Sequence, residues 1–236
     1  MRYPGRRCPP PALGAALLIV LLSILPAAAQ VAPTAAELRA YAGLHAAAAR
    51  GDVAEIERRI AAGEDKEAVD GRQRTPLHVA VYHRRHDAAR ALMRLGADPN
   101  RLEIDRYDII TIAAVANDVP MLKLAIEGGG NPKAITSRFD GTALIAAAHL
   151  GLVEVVRTLI AAKAPLDHVN NLGWTALIES IVLGDGGMNH TETLRALVEA
   201  GADVNIPDRS GATPLRLARA RNYLMMVTIL EGAGAK

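Results

Sequence analysis

Residues Thr75 to Asn100 read TPLHVAVYHRRHDAARALMRLGADPN, and most of the remaining chain rewrites this string. Thr75 offers a hydroxyl at a helix N-cap, and Pro76 sits in the first turn, where no backbone donor is missed. Leu77, Val79, Ala80 and Val81 then make a short apolar helix. A second run, Asp87 to Leu95, sets Ala88, Ala89, Leu92 and Met93 on one face, and Gly96 supplies the left-handed residue that ends it. Two antiparallel helices this short cannot bury a core alone, so the pair predicts neighbours of the same kind.

The neighbours are present at a fixed spacing. Thr75 and Gly96 lie 21 residues apart, and the same interval separates Ala42 from Gly63, Asp108 from Gly129, Thr142 from Lys163 and Thr213 from Gly234. Thr175 and Gly201 are five residues further apart, the surplus falling at Asp185 to His190, DGGMNH. A surface insertion is expected there, made flexible by Gly186 and Gly187. The period of about 33 residues, the TPLHVA word and its echo Thr213, Pro214, Leu215, and the GADPN and GADVN words together resemble the ankyrin repeat.

That resemblance implies an all-α solenoid of about six helix-turn-helix units with β-hairpin loops between them, over residues 42–236. The repeats are expected at 42–74, 75–107, 108–141, 142–174, 175–212 and 213–236. Asn205 to Ala212 fits the hairpin pattern throughout, and Asp167 to Trp174 follows it. Other hairpins depart from it: Gln73 holds a glycine position, Arg106 and Tyr107 lie in a stretch with no glycine, and Lys133 to Gly141 is one residue longer. Ahead of the repeats, Thr34 and Glu37 form a capping box for a helix expected to run through Leu44 to Ala49.

The first 29 residues have a different character. Arg2, Arg6 and Arg7 precede an uncharged apolar run from Ala12 to Leu25, followed by Pro26 and Ala27, Ala28, Ala29. This order of charge, apolar stretch and small residues is that of a secretory signal peptide, with cleavage expected after Ala29 and residues 30–41 left as a leader and the start of a capping helix. Fourteen apolar residues are too few for a spanning helix, which needs about 20. The protein is therefore expected to be periplasmic or secreted, with no membrane contact after cleavage.

Removing that segment changes the charge from 27 basic against 25 acidic residues to 24 against 25, which leaves no case for nucleic acid. It also removes Cys8, the only cysteine, so stability must come from stacking. There is no HExxH, GxSxG or phosphate-binding glycine loop. His83 and His86 are three apart, but Arg84 and Arg85 between them disfavour a cation, so no metal and no cofactor are expected. Arg50, Gly51 and Asp52 fill the turn between two helices and are read as structural. His45 and His78 share the TPLH position and are read as hydrogen-bonded within the stack.

A solenoid offers a surface in place of a catalytic site: hairpin tips and outward positions of the first helices line a concave groove. The resemblance implies a protein partner, of unstated identity, and no enzyme. By register, the groove holds Tyr82, His83, His149 and Glu179, and the tips hold Arg72, Arg74, Arg106, Tyr107, Phe139 and Trp174. Arg and aromatic residues are the usual anchors of protein interfaces. A dedicated chaperone or immunity-type inhibitor of a co-exported enzyme is the alternative reading. The last repeat carries Met225 and Ile229 where the fourth has Glu154 and Thr158, so weak self-association or docking through this end is expected.

Overall fold

The computed structural model describes residues 31–236; the expected signal segment and its cleavage site lie outside them. Thirteen helices follow one another in this span. After α1 (Ala35–Ala40) come six pairs: α2 and α3 (Gly43–Arg50, Val53–Ala61), α4 and α5 (Pro76–Tyr82, His86–Arg94), α6 and α7 (Ile109–Val115, Val119–Glu127). The remaining pairs are α8 and α9 (Ala143–His149, Val153–Ala161), α10 and α11 (Ala176–Val182, Met188–Glu199), α12 and α13 (Pro214–Ala220, Leu224–Gly232). Each first helix packs on the first helix of the next pair, and each second helix likewise, giving two parallel layers. The described residues form an ankyrin-type solenoid, as the repeat pattern implies.

Local chemistry sets the helix limits. Thr75, Asp108, Thr142, Thr175 and Thr213 occupy the N-cap of their helices and accept from the backbone N–H three residues on. At the far end of each pair the chain must turn left-handed. Gly63, Gly96, Gly129, Gly201 and Gly234 do so, with φ between 81° and 94°, while Lys163 adopts φ 62° in the one repeat lacking glycine there. The core is a ribbon of small side chains, with Leu77, Ala80, Leu92, Leu144, Ala147 and Leu159 fully buried.

Three expectations are corrected. The leading helix does not run on to Ala49: Tyr41 and Ala42 are extended, because a helix must begin anew at the Ala42 station to stay in register with the stack. The hairpins hold no strands among the described residues, only an isolated bridge between Thr136 and Gly141. They are tight tips closed by side chains, too short for a ladder. The DGGMNH insertion is helical over its second half, since α11 starts at Met188, and it is tied down. Asp185 Oδ1 accepts from Gly187 N–H at 2.8 Å and pairs with His190 Nδ1 at 2.9 Å, while His190 Nε2 reaches the His149 carbonyl at 3.0 Å.

Both ends of the stack are polar. In inner repeats and the last, the third and seventh residues of a regular second helix point back into the preceding repeat and are buried, as with Met226 and Leu230. In α3 these stations hold Glu55 and Arg59, an ion pair at 2.6 Å. At the other end, Val81, Ala114, Ala148 and Ile181 face the next repeat and are buried, whereas their counterpart Arg219 pairs with Glu231 at 2.5 Å. Apolar surface is nonetheless present on the last helix, where Leu224 is 67% exposed. Met225 is 61% exposed, but Ile229 is half-buried, at the station that holds Ala91 and Leu124 inside the stack.

Candidate functional site

One loop motif recurs in each tip and shapes the site. The first tip residue accepts two backbone N–H groups through a single side-chain oxygen, and in four of the five tips its own N–H donates to the carbonyl that closes the stem. Asp70 Oδ1 accepts from Arg72 and Arg74, Glu103 Oε1 from Asp105 and Tyr107, and Ser137 Oγ from Phe139 and Gly141. Asn170 Oδ1 accepts from Leu172 and Trp174, and Asp208 Oδ1 from Ser210 and Ala212. Four residue types thus perform one task, which explains how Gln73 and Arg106 take left-handed φ of 59° and 65° without glycine.

Successive tips are also joined. Ile104 N–H donates to the Arg72 carbonyl at 3.0 Å, Ser137 N–H to Arg106 at 2.9 Å and Asn171 N–H to Phe139 at 2.9 Å. Asp105, only 15% exposed, stands between two guanidiniums, Arg72 at 2.6 Å and Arg138 at 2.5 Å. Arg106 pairs with Asp140 at 2.9 Å. Arg72 and Arg106, expected to await a partner, are therefore already bound to the adjacent tip, though both keep exposed surface.

Arg74 and Glu179 are displaced from the partner surface altogether. Arg74 is 0% exposed; its guanidinium bonds Asp70 at 2.7 Å, the Val31 carbonyl at 3.1 Å and Glu37, closing α1 over the first repeat. Tyr41 Oη donates to the same Asp70 at 2.6 Å, and burial together with that bond raises its pKa. Burial works against the Asp70 charge, yet the bonds from Tyr41, Arg72 and Arg74 hold its carboxyl below the usual range. Glu179 is 4% exposed in α10, with Asn170 Nδ2 donating to one oxygen at 2.9 Å and His149 Nδ1 lying 3.5 Å from the other.

The remaining groove residues stand where register places them. Tyr82, His83 and His149 are half-buried at the C-terminal ends of their helices, and Tyr107 and Trp174 half-buried at the entrance to theirs, with Tyr107 packed on the core. Burial raises the Tyr82 and Tyr107 hydroxyl pKa values, and burial with nearby Arg85 lowers that of His83. Tyr82 Oη and His83 Nε2 are buried atoms with no hydrogen-bond partner among the described residues. His45 and His78 are structural: their Nε2 atoms lie 2.9 Å and 3.0 Å from the carbonyls of Arg74 and Arg101. His86 lies against Asp118 at 3.0 Å and is separated in role from His83. Among the described residues no set of three His, Cys, Asp or Glu side chains converges, and no helix is long and apolar enough to cross a membrane.

Met225 and Ile229 line a shallow groove of about 320 Å³ between α11 and α13, on the face opposite the tips. An equivalent groove of about 440 Å³ lies between α7 and α9, so the feature belongs to the repeat architecture. Sequence reasoning passed over a different set, the exposed aliphatic residues of the tips: Val69, Ile104, Ile135, Val169 and Leu172. Their signal was available as apolar letters at loop positions.

Comparison with known proteins agrees with this architecture. A family model described as ankyrin repeats (3 copies) matches residues 21–103 and 110–208. The ankyrin repeat protein YahD of Escherichia coli (strain K12) is 30% identical over 190 residues, covering 80% of this chain and 94% of that protein. Among solved structures, an ankyrin repeat domain from Acinetobacter baumannii AYE is 40% identical, with a TM-score of 0.78 over 82% of this chain and 98% of that one. A structure of a predatory endopeptidase from Bdellovibrio bacteriovorus in complex with an immunity protein contains the same fold at 21% identity and a TM-score of 0.68, over 81% of this chain and 98% of that one. The repeat stations, the stacked helix pairs and these relatives lead to one assignment: the chain belongs to the ankyrin-repeat family.

Proposed function

We propose that this chain is an exported, non-enzymatic binding module that holds a partner protein along its concave face and tips. Ankyrin repeats are a protein-interaction fold, and one observation carries the reading to this surface. The buried stations are nearly constant, Leu44, Leu77, Leu144, Leu177 and Leu215 recurring two residues after the cap. The seventh and eighth stations, on the concave side, hold Ala49 and Arg50, Tyr82 and His83, Val115 and Ala116, His149 and Leu150, Val182 and Leu183, and Ala220 and Arg221. Stacking dictates the first set and leaves the second free to be shaped by a partner.

Export rests on the Arg2 to Ala29 pattern alone, and the intact mass of protein recovered from the periplasm should correspond to a chain beginning at Gln30. For binding, the partner is captured on that mature form and titrated calorimetrically. Truncating Trp174→Ala or Tyr107→Ala should each cost about 2 kcal/mol or more, about thirtyfold in Kd, with a smaller change in stability. If both variants unfold while their residual folded fraction binds normally, these rings serve packing and the reading of them as anchors fails.

A further inference from the structure

Six of the eleven large apolar side chains that stand exposed among the described residues are on the tips: Val69, Ile104, Ile135, Phe139, Val169 and Leu172, each between 37% and 49% exposed. Exposed loop tips are ordinarily the most polar part of a solenoid, and apolar side chains concentrated along one edge mark a contact surface. This edge is also rigid. Tips 69–74, 101–107, 135–141 and 168–174 are joined by the three backbone bonds already described, by Asn171 Nδ2 to the Arg138 carbonyl at 3.0 Å and by His168 Nε2 to the Asp140 carbonyl at 2.6 Å. A partner would therefore meet a surface that needs no ordering on binding.

The charge around that edge is one-sided in what it leaves available. Glu103 is buried and Asp70 largely covered, both consumed by tip closure, and Asp105 is shared between two guanidiniums, so one positive charge remains uncompensated at Arg72 and Arg138. Within these tips Arg101 is exposed and makes no ion pair among the described residues. Of the tip carboxylates, Asp140 is both well exposed and ion-paired, with Arg106. Apolar side chains interleaved with surplus cations fit the opposite pattern, in which apolar anchors alternate with carboxylates.

We infer that the tip edge of repeats two to four docks an acidic, apolar-rich segment of the partner protein, its aliphatic or aromatic side chains set on Ile104, Phe139 and Leu172 and its carboxylates on Arg72, Arg138 and Arg101. This rests on the reading of the chain as a protein-binding module and adds which surface dominates and what it recognises. Arg138 and Phe139 together form the centre, because their tip is bonded to both neighbours and is the one that presents an unshared aromatic ring beside a guanidinium.

The test pans a phage-displayed random dodecapeptide library on the mature chain, then measures the enriched peptides by fluorescence anisotropy at low and high salt. The expected peptides combine Asp or Glu with Phe, Leu or Ile and weaken at high salt. They should bind at least tenfold more weakly to Arg138→Glu with Phe139→Ser, a double variant whose melting temperature matches the parent. Groove-floor variant Val182→Glu should leave their binding intact. Basic or uncharged peptides, or binding lost on Val182→Glu and kept on the tip variant, would overturn this inference while leaving the binding-module reading standing. Failure of any peptide to enrich, with the captured partner insensitive to both variants, would remove both.

Discussion

At the scale of single residues, hydrogen-bond direction decides more than residue type. Thr75 N–H donates to His78 Nδ1 at 3.1 Å, so that nitrogen is an acceptor and Nε2 carries the proton given to the Arg101 carbonyl at 3.0 Å. Burial, the largest cause, lowers the His78 pKa to about 4. In the unfolded chain it returns to about 6.5, so the unfolded state binds more protons between the two values. The contribution is fully present above pH 6.5 and is lost as pH falls toward 4, worth about 3 kcal/mol in all. Urea midpoints across that window should fall steeply for the parent and less for His78→Gln; equal slopes would show that His78 is not the group responsible. The histidine at this station was legible from the TPLH word. Arg74 was not, because its letter matches the tip arginines around it, and only the arrival of Glu37 and Val31 from 37 and 43 residues upstream buries it.

At the scale of elements, helices were legible and loops were not. Thr or Asp caps, a left-handed residue at a fixed distance and a short apolar face determine each pair locally, so even Asp108, Ile109, Ile110, Thr111 form a capped helix start, with Asp108 accepting from Thr111 N–H at 2.8 Å. Tips depend on whichever side chain supplies an oxygen, and Asp, Glu, Ser and Asn all serve, so a search for glycine misreads three of the five. Asn170 is the informative case. Its repeat has a carboxylate, Glu179, at the station filled by Val79, Ile112, Ala146 and Leu217 elsewhere, and the Asn170 amide donates to it. Asn170→Asp keeps the acceptor for Leu172 and Trp174 but sets a second buried carboxylate against Glu179. It should cost about 2 kcal/mol at neutral pH, with Glu179→Gln restoring most of the loss. A neutral effect in thermal unfolding would show that the pair is not coupled.

At the scale of the whole molecule, Ile229 was misplaced for a reason that the stack supplies. Reading α13 against α9 alone made Ile229 look superfluous, whereas comparison with α5 and α7 puts it at a station filled there by buried Ala91 and Leu124, and Arg219 with Glu231 supplies a polar pair at this end. A polar cap at each end leaves the concave face and tips as the variable surface, and the account stands on a partner being held there. The most direct measurement is amide hydrogen exchange of residues 30–236 with and without a captured partner. Protection gained at the ends of α4, α6, α8 and α10 and in the tips from residue 101 to residue 174, with α5, α7 and α9 unchanged, is the expected result. Protection confined to the outer second helices, with no change along the groove or tips, would contradict it.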